Sequence, residues 1–184
     1  MFDYQRIIDK YYPAEVSLRD IYMHHCRSVA DKALAIAHSH RLDLDPADVE
    51  AAAMLHDIGI TLTDAAGIHC HGTEPYLAHG RLGADLLRKE GAPEKFARVA
   101  ERHTGTGLTP ADVERLGGIL PSDRSYMPAT QLERLICYAD KFYSKNGDMK
   151  EKPAERVRAS LAKFGDDALK RFEQHEKEFG GEIG

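Results

Sequence analysis

The chain has 184 residues, 42% hydrophobic and 30% charged, which is enough for one domain with an apolar core and too little for two of ordinary size. Its formal net charge of -5 supplies no basic field for free nucleic acid, and three cysteines without a CxxC pair argue against both a disulfide framework and a cysteine zinc site. The N-terminus carries no apolar leader, and no apolar run approaches the ~20 residues that cross a bilayer, so a cytoplasmic protein away from membranes is expected.

Between closely spaced Gly and Pro breaks, the apolar residues recur three and four apart, and the chain reads as all-α. Ser17 is placed to cap a long helix to about His40, with Ile21, His25, Val29, Ala33 and Ile36 along one stripe. Asp45-Pro46 opens a second helix that carries Val49, Ala52, Ala53 and His56 on one side and ends at Gly59, so His56-Asp57 falls in its last turn. After the loop GIHCHGTEP comes a helix near residues 75 to 90, with His79, Leu82, Gly83, Leu86 and Leu87 on one face. Pro93 begins another, with Phe96, Val99, Ala100 and His103 aligned. Thr109-Pro110 starts a short helix closed by Gly117-Gly118. Thr130 is placed to cap an apolar helix, QLERLICYADKFYSK, that includes Ile136 and Asp140 and ends at Asn146-Gly147. The tail, from about 153 to 179, reads as two charged amphipathic helices split at Gly165; Val157, Leu161, Phe164, Leu169 and Phe172 are its inward positions, and it forms a lid on the core. No linker divides the chain, so residues 1–184 are expected to form a single domain.

His25, His56, His79, His103 and Asp140 each lie on the apolar stripe of a different helix, with Asp57 beside His56. Packing helices by their stripes brings such side chains together. One buried histidine is satisfied by a single hydrogen bond, but several imidazoles and carboxylates buried together are satisfied around cations. A mixed nitrogen and oxygen donor set suits iron, manganese, zinc or cobalt rather than calcium. His24, about 100° round the helix from His25, points away from that stripe.

The blocks H(25)xxxVA, HDIG (56 to 59), HGxxGADLL (79 to 87), ERHTG (101 to 105) and YADK (138 to 141) resemble, in order and spacing, the HD superfamily of metal-dependent phosphohydrolases. The resemblance covers about residues 18 to 145. It implies a helical bundle of about five core helices around a metal site. His25, His56, Asp57 and Asp140 match the ligands of one metal in that family; His79 and His103 match the extra histidines of its two-metal members, with Asp57 bridging. Two divalent transition-metal ions are therefore expected. In motif the chain is similar to the bacterial HD-type symmetrical diadenosine tetraphosphatases and to small uncharacterised HDIG proteins. It departs from the former in GIHCHGTEP and in its C-terminal helices.

Paired cations clamp a phosphoryl group and acidify a water for in-line attack, a chemistry in which Asp57 and Lys141 are the expected catalytic residues. Arg102, His69, His71 and Thr104 are the further candidates for substrate contact, Arg27 and Arg81 weaker ones, and Tyr126, Arg124 and Lys145 candidates for a nucleotide pocket. The expected substrate is a small phosphate ester or anhydride, a nucleotide by resemblance, with a homodimer as the assembly left open. Two alternatives stand beside it: an HD-type di-iron oxygenase, and a nucleotide-binding module without turnover.

Overall fold

The structure, a computed structural model, describes residues 2–14 and 16–181. Among these the chain forms α1 (Gln5–Tyr11), α2 (Leu18–Ser39), α3 (Pro46–Leu55), α4 (His79–Lys89), α5 (Glu94–Arg102), α6 (Pro110–Arg115), α7 (Gln131–Asp140), α8 (Ala154–Leu161) and α9 (Asp166–Phe179). The fold is an all-α bundle in which α2 packs on α3 and α7, α4 on α5, α5 on α7, and α9 on α7. No helix among the described residues is long and apolar enough to cross a membrane.

Local chemistry sets the helix starts. Asp45 accepts a hydrogen bond from the Ala47 amide, with Pro46 in the first turn. Thr109 with Asp112, and Thr130 with Glu133, form reciprocal capping boxes. Ser17 makes no such side-chain cap. Its helix rests instead on a buried face of Leu18, Tyr22, His25, Cys26, Val29, Ala30, Ala33 and Ile36.

Several features depart from the sequence expectation. The N-terminal segment, left unassigned by periodicity, forms α1 and buries Ile7 and Ile8. The His-rich loop is ordered by a small sheet of β1 (Thr63–Ala65), β2 (Cys70–His71) and β3 (Glu74–Pro75), in the order β2-β1-β3. β1 pairs antiparallel with β2, Asp64 opposite His71, and parallel with β3, Thr63 opposite Glu74. α7 ends at Asp140 rather than near Lys145: the amides of Lys141, Phe142 and Tyr143 bond three residues back, to Tyr138, Ala139 and Asp140, and the tightened turn swings the chain away.

The C-terminal helices lie on the end of α7, where Phe172 sits 5.4 Å from the Tyr138 ring and 6.1 Å from that of Phe142. Val157, Leu161, Phe172 and Phe179 join the core, but Phe164 is 77% exposed and Leu169 only half-buried. Gly165, at φ 104°, resets the helical phase, so that Ala168 takes the inward place.

His175 on α9 is buried, and burial holds its pKa down at about 4, with Glu178 opposing and Arg134 adding to the effect. Unfolding returns this imidazole to about 6.5. The unfolded chain then binds the extra proton between those values, so stability falls as pH drops from about 6.5 toward 4, by up to roughly 3 kcal/mol, and is fully present above that window. Urea unfolding at pH 7.5 and 5 should show this loss, and His175→Gln should flatten that part of the profile. An unchanged slope in the variant would refute the assignment.

Candidate metal centre

The two halves of the bundle each bring histidines to one carboxylate. His25 comes from the middle of α2, and His56 and Asp57 follow directly on α3. Asp140 is the last residue of α7, His79 the first of α4, and His103 the residue that closes α5. All six are buried, Asp140 the most open at 8% exposure.

Their approach depends on glycine. After Asp57 the chain makes a 3-10 turn, Ile58–Leu62, with α4 laid against it. A Cβ at Gly59 would stand 2.2 Å from the His79 carbonyl oxygen and 2.4 Å from the Gly83 nitrogen. On the other side of α4, a Cβ at Gly80 would stand 2.7 Å from the Ala100 carbonyl oxygen of α5. HDIG and HGxxG are thus the two faces of one close backbone contact, and that contact holds His79 beside Asp57 and His103.

Potential donor atoms of His25, His56, Asp57 and Asp140 all lie within 4.8 Å of one another, as do those of Asp57, His79 and His103. Asp57 belongs to both groups. Its Oδ2 lies 3.1 Å from His25 Nε2 and 3.2 Å from His56 Nε2, and its Oδ1 lies 3.4 Å from His79 Nε2 and 3.3 Å from His103 Nε2. Asp140 Oδ1 is 3.0 Å from His25 Nε2.

Proton placement shows what this cluster needs. The Nδ1 atoms of His56, His79 and His103 face the carbonyls of Ala53, Tyr76 and Ala100 at 2.6, 2.6 and 2.8 Å. A carbonyl only accepts, so each Nδ1 carries the proton, and in a neutral ring Nε2 is left as a lone pair. Burial, and then the neighbouring His103, hold His79 at about 3, and burial pushes His103 down against the opposing pull of Asp57, so both rings are neutral near pH 7. Their Nε2 lone pairs face one another at 3.0 Å, beside the buried Asp57 Oδ1, which has no hydrogen-bond donor. Three acceptors converging without a proton call for a cation. In the other group burial opposes the charge on His56, but Asp57 outweighs it and raises that imidazole well above its usual value. Burial likewise opposes the charges of Asp57 and Asp140, yet Lys145 and Lys141 respectively, with the histidines, hold both carboxyls well below the usual range. This nitrogen and oxygen donor set, with orphaned acceptors, fits divalent transition metals.

Two lysines close the site. Lys145 Nζ lies 2.6 Å from Asp57 Oδ2 and over the Tyr76 ring, and Lys141 Nζ lies 2.7 Å from Asp140 Oδ2 and 3.2 Å from the His103 carbonyl. Lys145, named from sequence only as a candidate for a nucleotide pocket, thus sits directly against Asp57. The other candidates are engaged elsewhere. Arg102 pairs with the buried Glu133 at 3.0 Å, and Arg27 with Glu50 at 2.8 Å. Arg81 faces Asp85 and Glu74, Arg124 bridges Asp85 and Glu101, and Tyr126 donates to the Pro121 carbonyl. His69 and His71 are exposed around the small sheet, His24 is exposed on α2, and Thr104 lines an apolar groove with Leu77 and Leu161. Cys70, the cysteine within the GIHCHGTEP loop, is buried.

Residues 22–144 match the HD domain family. The chain belongs to that family. This HD domain is 31% identical, over 99% of its length, to a tRNA (cytidine(56)-2'-O)-methyltransferase of Thermoplasma volcanium, and 33% identical, over 68%, to the protein of the same name in Picrophilus torridus. It is 38% identical, over 63% of its length, to an uncharacterised protein of Methanocaldococcus jannaschii. The chain spans only 48%, 32% and 62% of these relatives, respectively. Among solved structures, the HD domain of the Listeria monocytogenes phosphodiesterase PgpH superposes with a TM-score of 0.55 at 18% identity, covering 95% of both chains. The same domain in complex with cyclic-di-AMP matches at 0.55 and 17% identity, over 98% of this chain and 99% of that one.

Proposed function

We propose that this HD domain is a metal-dependent phosphohydrolase acting on a small phosphate ester or anhydride, with a nucleotide as the substrate class. The observation that carries the reading is the convergence of Asp57 Oδ1 with the Nε2 lone pairs of His79 and His103, next to the second group built on His25, His56 and Asp140. In this reading Asp57 with His79 and His103 would hold one cation, and His25, His56, Asp57 and Asp140 would hold another. Bound there, divalent cations supply charge for the phosphoryl oxygens and an acidified water as nucleophile. The chain's own part is to hold the histidines in one tautomer through the Ala53, Tyr76 and Ala100 carbonyls, to keep both carboxylates ionised, and to offer Lys141 and Lys145 to the substrate's anionic oxygens. The nucleotide class is supported by the PgpH domain, whose structure was solved with cyclic-di-AMP, and by the motif likeness to the diadenosine tetraphosphatases. The methyltransferase relatives are much longer than the segment they share with this chain, and the His/Asp cluster supports hydrolysis in that segment.

Metal-reconstituted protein should release phosphate or nucleoside product from a panel of phosphomonoesters, nucleoside di- and triphosphates, dinucleoside polyphosphates and cyclic dinucleotides, with no consumption of dioxygen. Oxygen uptake coupled to substrate loss would replace this reading with the oxygenase. Saturable nucleotide binding without product would replace it with a binding module.

A further inference from the structure

We propose that Lys152 and Ser160 form a second phosphate subsite beside the His/Asp cluster, so that the substrate carries two phosphate groups, one at the cluster and one in this pocket. The inference rests on the phosphohydrolase reading above. Both residues lie beyond the family-matched segment 22–144, Lys152 in the irregular run before α8 and Ser160 in α8 itself.

The pocket has a volume of about 150 Å³ and is lined by Asp140, Lys141, Lys145, Lys152, Ser160 and Leu161, among others. Sites that enclose a whole drug-sized ligand run to about 300–1,000 Å³, so this one fits a phosphate-sized group and not a nucleoside. Asp140 at its wall ties it directly to the candidate metal centre.

The charge balance points to an anion. Lys141 and Lys145, assigned above to the phosphate at the cluster, each already face a carboxylate, Asp140 at 2.7 Å and Asp57 at 2.6 Å. Lys152 is half-buried, yet among the described residues no carboxylate lies within ion-pair distance of it; its Nζ reaches only the Tyr143 carbonyl, at 3.4 Å. Elsewhere in this acidic chain partly buried lysines are paired, Lys32 with Glu151 at 2.7 Å being one case. A half-buried ammonium held without an anion costs desolvation that a bound phosphate recovers. Burial lowers the pKa of Lys152, in keeping with a cation short of a counter-charge. Its backbone is fixed, the amide donating to the Phe142 carbonyl at 2.8 Å, so the side chain leaves from a set point. Ser160 adds a hydroxyl from the α8 wall. A phosphoanhydride places a second phosphate one bridging oxygen from the first, whereas a monoester leaves the Lys152 end unused.

The test begins with the full chain titrated with inorganic pyrophosphate in the presence of a chelator, by calorimetry. Lys152→Gln should weaken binding at least tenfold, Ser160→Ala by less, and Lys152→Arg should restore most of it. In metal-loaded protein, the ratio of kcat/KM for a nucleoside diphosphate to that for p-nitrophenyl phosphate should fall at least tenfold in Lys152→Gln. Equal pyrophosphate affinity in wild type and Lys152→Gln, or an unmoved ratio in an active enzyme, overturns the subsite while leaving the hydrolase reading intact. Lys152-dependent pyrophosphate binding with no turnover of any phosphoester overturns the hydrolase reading and keeps the anion pocket.

Discussion

Asp57→Ala is expected to lower phosphoester hydrolysis by at least a thousandfold, about 4 kcal/mol of transition-state stabilisation, while the helical circular dichroism spectrum stays that of the wild type. The size of the effect follows from the position of Asp57. Its two oxygens serve the two histidine groups separately, Oδ2 facing His25 and His56 and Oδ1 facing His79 and His103, so one substitution removes a donor from both. Loss of His79 alone would leave the group of four intact and should cost less. The fold should survive because Lys145, the cation left behind by Asp57→Ala, also borders a second pocket with Ser144 and Asn146, away from Lys141 and Lys152. Activity within tenfold of the wild type in Asp57→Ala would remove the cluster from the reaction.

The second large effect is structural. Gly59→Ala puts a methyl group where the α4 backbone already stands, with the nearest atoms being the His79 carbonyl oxygen at 2.2 Å and the Gly83 nitrogen at 2.4 Å. Backbone cannot swing aside as a side-chain tip can, so α4 must move off the 58–62 turn. The expected cost is about 3 kcal/mol or more, at the upper end of overpacking penalties. Moving α4 also carries His79 away from Asp57 and His103, so the variant should lose metal along with stability. Chemical denaturation and elemental analysis of the same preparation check both. A variant as stable as the wild type would mean that the close contact of HDIG with HGxxG is not what seats α4.

How far the amino-acid sequence carried this picture depended on the range of the forces involved. Caps and stripes are local, and Asp45, Thr109 and Thr130 cap their helices where the residue types indicated. The stripe histidines and Asp140 could be placed because each occupies a buried position among apolar neighbours at helical spacing. Tertiary features were not legible. The pairing of β1 with β2 and β3 joins short segments with no alternating pattern, and α1 is a two-turn helix held by burying Ile7 and Ile8. Arg102 looked available because it adjoins His103, yet its guanidinium is claimed by Glu133, which lies 31 residues away in the capping box of α7. Lys145 and Lys152 reach the site only because α7 stops at Asp140 and the chain folds back, an event governed by turn hydrogen bonds that periodicity does not register.

The most direct test of the central claim is the metal content of the protein, measured by elemental analysis after purification without chelator or metal-binding tag, with Asp57→Ala alongside. The predicted result is about two divalent transition-metal ions per chain in the wild type and their loss in the variant. No bound metal, even after reconstitution with iron or manganese, would contradict it and leave the buried histidines as packing residues.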